Sequence, residues 1–230
     1  MKSVGEIAAE NPAAIPIFER LQIDYCCGGK TPLSDACATA GITTDEFFAT
    51  LNASPAAPEH GLDWSGRTLT ELQNYLVERF HAHAREELDA LNLLAAKVLG
   101  VHGSRRPELS RVAQLVKALT DDMLPHMMKE EIVLFPYVAS VESGEPKACC
   151  FGSVENPVRM MMMEHEAVGE LLAALRTTTS DFAPPEDACF SYRELYRRLG
   201  AFETETHEHI HLENNVHFPR AIEIERAVLV

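Results

Sequence analysis

The chain has 230 residues, 46% of them hydrophobic, and 35 acidic against 20 basic side chains give it a formal charge of −15. That length holds one good-sized core with a small appendage, or two modest domains. The acidic balance repels phosphate backbones and anionic lipid heads, which argues against nucleic acid or a membrane surface as partner. The N-terminal MKSVGEIAAENP lacks the apolar centre of a secretory signal and no run of eighteen apolar residues occurs, so a cytoplasmic location is expected. In a reducing compartment the six cysteines, at 26, 27, 37, 149, 150 and 189, are expected as thiols. No CxxC spacing occurs among them, which disfavours zinc ribbons and thioredoxin-like motifs.

In chain order, residues 1–51 read as a small domain of short helices. Pro12 and Pro16 interrupt the first stretch, IFERLQI follows, and TTDEFFATL looks capped by Thr43 or Thr44. Residues 52–66, rich in Pro, Gly and Ser, read as a linker. From 67 to 230 four segments carry helical periodicity, roughly 68–100, 107–140, 154–178 and 187–227, separated by GVHGSRRP, VESGEPKACCFGS and TTTSDFAPPED. The fold class expected is all-α, an up-down-up-down four-helix bundle with a small helical N-terminal domain. Pro125 is expected to bend or split the second segment just before His126.

Ten histidines are many for this length, and their spacing is informative. Val112, Val116, Leu119, Met123, His126, Glu130 and Val133 follow steps of three and four, which puts His126 and Glu130 on the buried stripe. Leu195, Leu199, Phe202, Thr206, His209, Glu213 and Val216 repeat the pattern in the fourth segment, and Val158, Met162, His165, Gly169, Leu172 and Leu175 place His165 inside the third. The first segment leaves His81 and His83 on opposite borders of its stripe. A single core histidine is ordinarily a hydrogen-bonded one. Two buried-stripe glutamates, each one turn after an inward histidine, are different, because an uncompensated buried carboxylate costs several kcal/mol. They call for a cation. Four imidazoles and two carboxylates without thiolate exceed one tetrahedral zinc and suit a pair of iron or manganese ions, a non-haem di-iron centre being favoured.

His207, Glu208 and His211 also spell HExxH, the zinc-protease signature. On a helix His207 and His211 lie roughly 160° from His209, so both sets cannot face inward. The stripe selects His209 and Glu213, and His207 and His211 are expected on a solvated face.

HMMKEEIVLFP at 126–136, MEHEAVGELL at 163–172 and HIHLENNVHFP at 209–219 resemble the hemerythrin-like di-iron bundle, and IDYCCGGK at 23–30 resembles the N-terminal domain fused to it in the bacterial repair-of-iron-centres family. The resemblance covers nearly the whole chain. It implies a cytoplasmic stress-response protein, usually a homodimer, that helps restore iron–sulfur clusters of client proteins damaged by nitric oxide or peroxide, either by supplying iron or by handling nitric oxide. It implies two non-haem iron ions, oxo- and carboxylate-bridged, on His81, His126, Glu130, His165, His209 and Glu213, with nitric oxide or dioxygen as small ligands. FHAHAREEL at 80–88 is similar to the first-ligand segment with His81 in register, and His102 is a reserve candidate. Cys149-Cys150 departs from the expected family pattern and reads as loop thiols; Cys37 and Cys189 read as small buried residues.

The vicinal Cys26-Cys27 pair is the expected reactive element. Thiolates are soft ligands for iron or a cluster, and Gly28-Gly29 suggest an exposed, flexible approach to a partner. Two other functions stay open: a nitric oxide or oxygen sensor or sink, and an enzyme reducing nitric oxide at the di-iron site.

Overall fold

The computed structural model describes residues 2–53 and 64–228; most of the stretch expected as a linker lies outside them. Among the described residues the regular elements are helical, with one isolated antiparallel bridge between Ser3 and Pro32. The all-α expectation holds. No described helix is long and apolar enough to cross a membrane.

Four short helices come first: α1 (Val4–Glu10), α2 (Ile15–Leu21), α3 (Leu33–Thr39) and α4 (Thr44–Ala53). Ser3 and Glu6 form a capping box at α1, and Thr43 and Glu46 exchange the same bonds at α4, satisfying amides that the first turn leaves without partners. Phe18 is fully buried between the stacked rings of Tyr25 and Phe47, with centroids 5.8 and 5.1 Å away.

Four long helical runs follow. The run α5 consists of Leu69–Tyr75, a π-helical stretch Leu76–His81, and Ala82–His102. In α6, Glu108–Lys129 passes through Pro125 as one continuous helix, so of the expected bend or split the split does not occur, and a π-helical stretch, Glu130–Leu134, follows before Phe135–Glu142. α7 is Glu155–Thr178, and α8 comprises Phe190–Leu212, the π-helical Glu213–His217 and Phe218–Val228. A π turn widens the helix by one residue and re-aims the side chains beyond it. Pro136 and Pro219 each follow such a stretch by two residues. Lacking an amide and crowding the carbonyl four residues back, each proline denies α-helical pairing to a residue within it, Ile132 and Asn215.

The chain forms two compact units. One comprises Asn74–Pro136 and Arg159–Thr206. Its apolar stripes bury Leu88, Leu91 and Val98 of α5, Val112, Val116 and Leu119 of α6, Leu172 and Leu175 of α7, and Leu195 and Leu199 of α8. Burial of each such side chain contributes about 1.5–3 kcal/mol. Arg198 pairs bidentately with Glu87 at 2.7 and 2.6 Å. The other unit comprises Met1–Gln73, Tyr137–Val158 and His207–Val230. Here buried Glu225 accepts from the Tyr137 hydroxyl (2.6 Å), the Ser153 hydroxyl (2.7 Å) and the Val154 amide (2.8 Å), and Glu142 caps the start of α5 through the amides of Leu69 and Thr70.

Candidate functional site

His81, His126, Glu130 and His165 belong to one compact unit and converge there, with His81 and Glu130 fully inaccessible and His126 and His165 nearly so. The Nε2 atoms of His81 and His126 each lie 3.5 Å from Glu130 Oε2, and His165 Nε2 lies 3.0 Å from His126 Nε2. A metal ion with bonds of about 2.1 Å holds neighbouring donors about 3 Å apart in octahedral and about 3.4 Å apart in tetrahedral coordination. These separations therefore fit donors arranged about a cation. His209 and Glu213 belong to the other unit, both buried, with Nε2 and Oε1 3.0 Å apart. His81 closes one π-helical stretch, while Glu130 and Glu213 open the other two. The helix irregularities thus sit at ligand candidates.

Two carboxylates that periodicity did not single out complete the arrangement. Glu131 contacts His81 Nδ1 at 2.7 Å and accepts from Arg85 at 2.8 Å; Glu164 contacts His126 Nδ1 at 2.8 Å and pairs with Lys129. Each carboxylate keeps the proton on Nδ1 and leaves Nε2 as the inward lone pair, the orientation that a ligating imidazole requires. Partial burial pulls Glu131 upward, but the bonds from His81 and Arg85 win and hold it below the usual carboxylate range. Glu164 behaves alike, burial being outweighed by Lys129 and His126. Their sequence signal was an acidic residue next to each of two ligand candidates, Glu130 and His165.

The vicinal cysteines lie in the other unit. Cys26 is buried and Cys27 half-buried, both outside any disulfide, with Sγ atoms 3.9 Å apart. Asp24 Oδ1 accepts from the amides of Cys26 (3.1 Å) and Cys27 (2.9 Å) and from the Cys26 thiol (3.4 Å). The bond with Cys27, burial and the Asp24 charge together push the Cys26 thiol well up. The following glycines serve close packing rather than the expected exposure. A Cβ on Gly29 would meet Asn215 Oδ1 at 2.2 Å, and one on Gly5 would meet it at 2.5 Å. Asn215 Nδ2 donates to the carbonyls of Tyr25 (3.2 Å) and Cys26 (3.1 Å).

His211 and His207 correct a second expectation. They are not on a solvated face: His211 is buried with Nδ1 3.3 Å from the Tyr25 carbonyl, and His207 Nδ1 lies 2.9 Å from Glu19. Burial pushes His211 down to about 4. The N-terminal residues cover the helix face opposite His209, where Glu19 and the Tyr25 carbonyl engage His207 and His211. His83 lies at the surface, 2.9 Å from Glu205, and His102 and Cys189, read as a reserve ligand and a buried thiol, instead meet each other, Cys189 being exposed.

The hemerythrin HHE cation binding domain matches residues 72–221. The chain belongs to the hemerythrin HHE family. Residues 1–55 match a second domain, ScdA_N, of unknown function (DUF542). Over 221 residues the chain is 36% identical to the iron-sulfur cluster repair protein YtfE of Yersinia pseudotuberculosis serotype IB (strain PB1/+), and equally to that of Yersinia pestis (strain Pestoides F), covering 96% of both chains in each case. All six ligand candidates fall inside the hemerythrin domain, and the vicinal cysteines fall inside the second matched region.

Proposed function

We propose that this protein repairs iron–sulfur clusters damaged by nitrosative and oxidative stress, and that it does so in the cytoplasm. The observation that carries the metal part is the set of buried Nε2 and carboxylate donors on His81, His126, Glu130 and His165 at separations of 3.0–3.5 Å. His209 and Glu213 repeat the His-x-x-x-Glu spacing of His126 and Glu130 within the same cation-binding domain, so they too are assigned to metal binding. Imidazole and carboxylate suit iron. When bound, the iron pair supplies an electron source and a place for nitric oxide or dioxygen to bind.

The protein's own side chains have separable tasks in this reading. Glu131 and Glu164 orient His81 and His126, and Arg85 and Lys129 keep those carboxylates ionised. Glu130 and Glu213 offset part of the cationic charge. Cys26 and Cys27 receive iron for delivery to a client, Asp24 fixing their turn. The relatives' designation as iron-sulfur cluster repair proteins supports the same reading for a chain they match over nearly its full length.

The test is recovery of a cluster enzyme inactivated by nitric oxide, alongside metal analysis. Two irons per chain and restored client activity are expected for the parent. Cys26→Ser with Cys27→Ser is expected to keep iron and lose repair. Full repair by that variant removes the thiols from delivery, and native protein containing one zinc or no metal overturns the binuclear assignment.

A further inference from the structure

Two residues that the metal reading does not use meet near the C-terminal end of α5 and the start of α8. His102 Nε2 lies 3.2 Å from Cys189 Sγ. Cys189 is exposed, and its carbonyl accepts from the Arg193 amide at 3.0 Å, so the thiol stands at the first turn of α8. The surroundings fix both partners. The Tyr192 ring packs 5.5 Å from the imidazole at 43°. Arg193 donates to the carbonyls of Ala188 (3.0 Å) and Glu186 (2.6 Å), and Arg106 pairs with Asp187 at 2.7 Å, tethering the chain entering Cys189.

We propose that His102 and Cys189 form a thiol–imidazole pair that reacts with hydroperoxides, making Cys189 an oxidation site separate from the metal ligands and from the Cys26-Cys27 pair. A base in hydrogen-bond reach of an accessible thiol is the arrangement that activates a cysteine nucleophile. With the ring proton on Nδ1, His102 Nε2 takes the thiol proton. The sulfur attacks one peroxide oxygen, the S–O bond forms as the O–O bond breaks, and the departing hydroxide takes the proton back from the imidazolium. The sum is thiol plus hydrogen peroxide giving sulfenic acid plus water, the sulfur losing two electrons and the peroxide gaining them. The exposed thiol is open to hydrogen peroxide from solvent. Cys37, buried in the N-terminal core, lacks that access.

Cys150, a second exposed thiol, is the internal reference. The full-length, metal-loaded protein is treated with substoichiometric hydrogen peroxide and dimedone, and separately with iodoacetamide, and adducts are quantified by peptide mass spectrometry. Cys189 is expected to label about tenfold or more faster than Cys150 with both reagents. His102→Gln, with helicity and metal content matching the parent, is expected to bring Cys189 down to the rate of Cys150. Equal rates at the two cysteines in the parent overturn the proposal, as does a folded His102→Gln protein that labels at the parent rate. Should that variant not fold, the parent's rate ratio with both reagents decides.

Discussion

Glu131 and Glu164 show how much of a candidate metal site lies in residues beside the ligand candidates rather than among them. Each binds the outer nitrogen of an inward histidine and is itself held by a cation, Arg85 or Lys129. Removing such a partner leaves the ligand present but poorly oriented. Glu131→Gln or Glu164→Gln is therefore expected to weaken iron binding by about 10–100-fold, read by chelator competition, with helicity unchanged. Glu130→Ala is expected to lower iron content more severely, because one carboxylate near both His81 and His126 is lost. The pattern of threes and fours finds side chains that face inward, so Glu130 and Glu213 were legible. Glu131 and Glu164 were not, since they come from the flanks of their helices and acquire a role only when His81 and His126 are placed beside them.

At the scale of the element, the last stretch of α8 carries two jobs on two faces. His209 and Glu213 occupy one face, while His207, His211 and Asn215 fix the N-terminal residues on the other. Gly29→Ala places a methyl group against Asn215 Oδ1 and is expected to loosen the Cys26-Cys27 turn, seen as faster proteolysis within residues 2–53. Combining it with Asn215→Ala is expected to cost less than the sum of the single changes, because the clash needs both partners. A pH effect belongs here too. Burial holds His211 and His217 at about 4 in the folded chain, below their usual 6.5. Between those values the unfolded chain binds the extra protons, so their contribution is intact above about pH 6.5 and is lost as the pH falls toward 4. The loss for each is on the order of 3 kcal/mol. Denaturant midpoints are expected to drop from pH 7.5 to pH 5, and the drop is expected to shrink in His217→Gln, whose amide keeps a polar group facing Gln73, 2.9 Å from the native ring nitrogen.

At the scale of the whole molecule, the buried carboxylates link metal occupancy to folding. Glu130 and Glu213 have no solvent exposure, and a bound cation offsets charge that water does not reach. A ligand that binds only the folded chain raises its stability by mass action. Chelation of the metal is therefore expected to lower the calorimetric melting temperature by several degrees, and re-addition of ferrous iron is expected to restore it. An unchanged melting temperature after verified metal loss would show that the carboxylates are satisfied by protein groups alone.

The sequence by itself determined the all-helical class, the approximate extent of the four long runs and the inward set His81, His126, Glu130, His165, His209 and Glu213. All but His81 follow from helical periodicity, which links sequence position directly to helix face; His81 was chosen over His83 by the resemblance of FHAHAREEL to a first-ligand segment. Only the tertiary structure decided where that periodicity breaks and what covers the opposite faces. Sequence spacing treats a helix as uniform and its polar side as wet, whereas π-helical stretches begin or end at His81, Glu130 and Glu213 and the N-terminal residues bury His211. The pairing of His102 with Cys189, 87 positions apart, likewise depends on which helix ends meet in space.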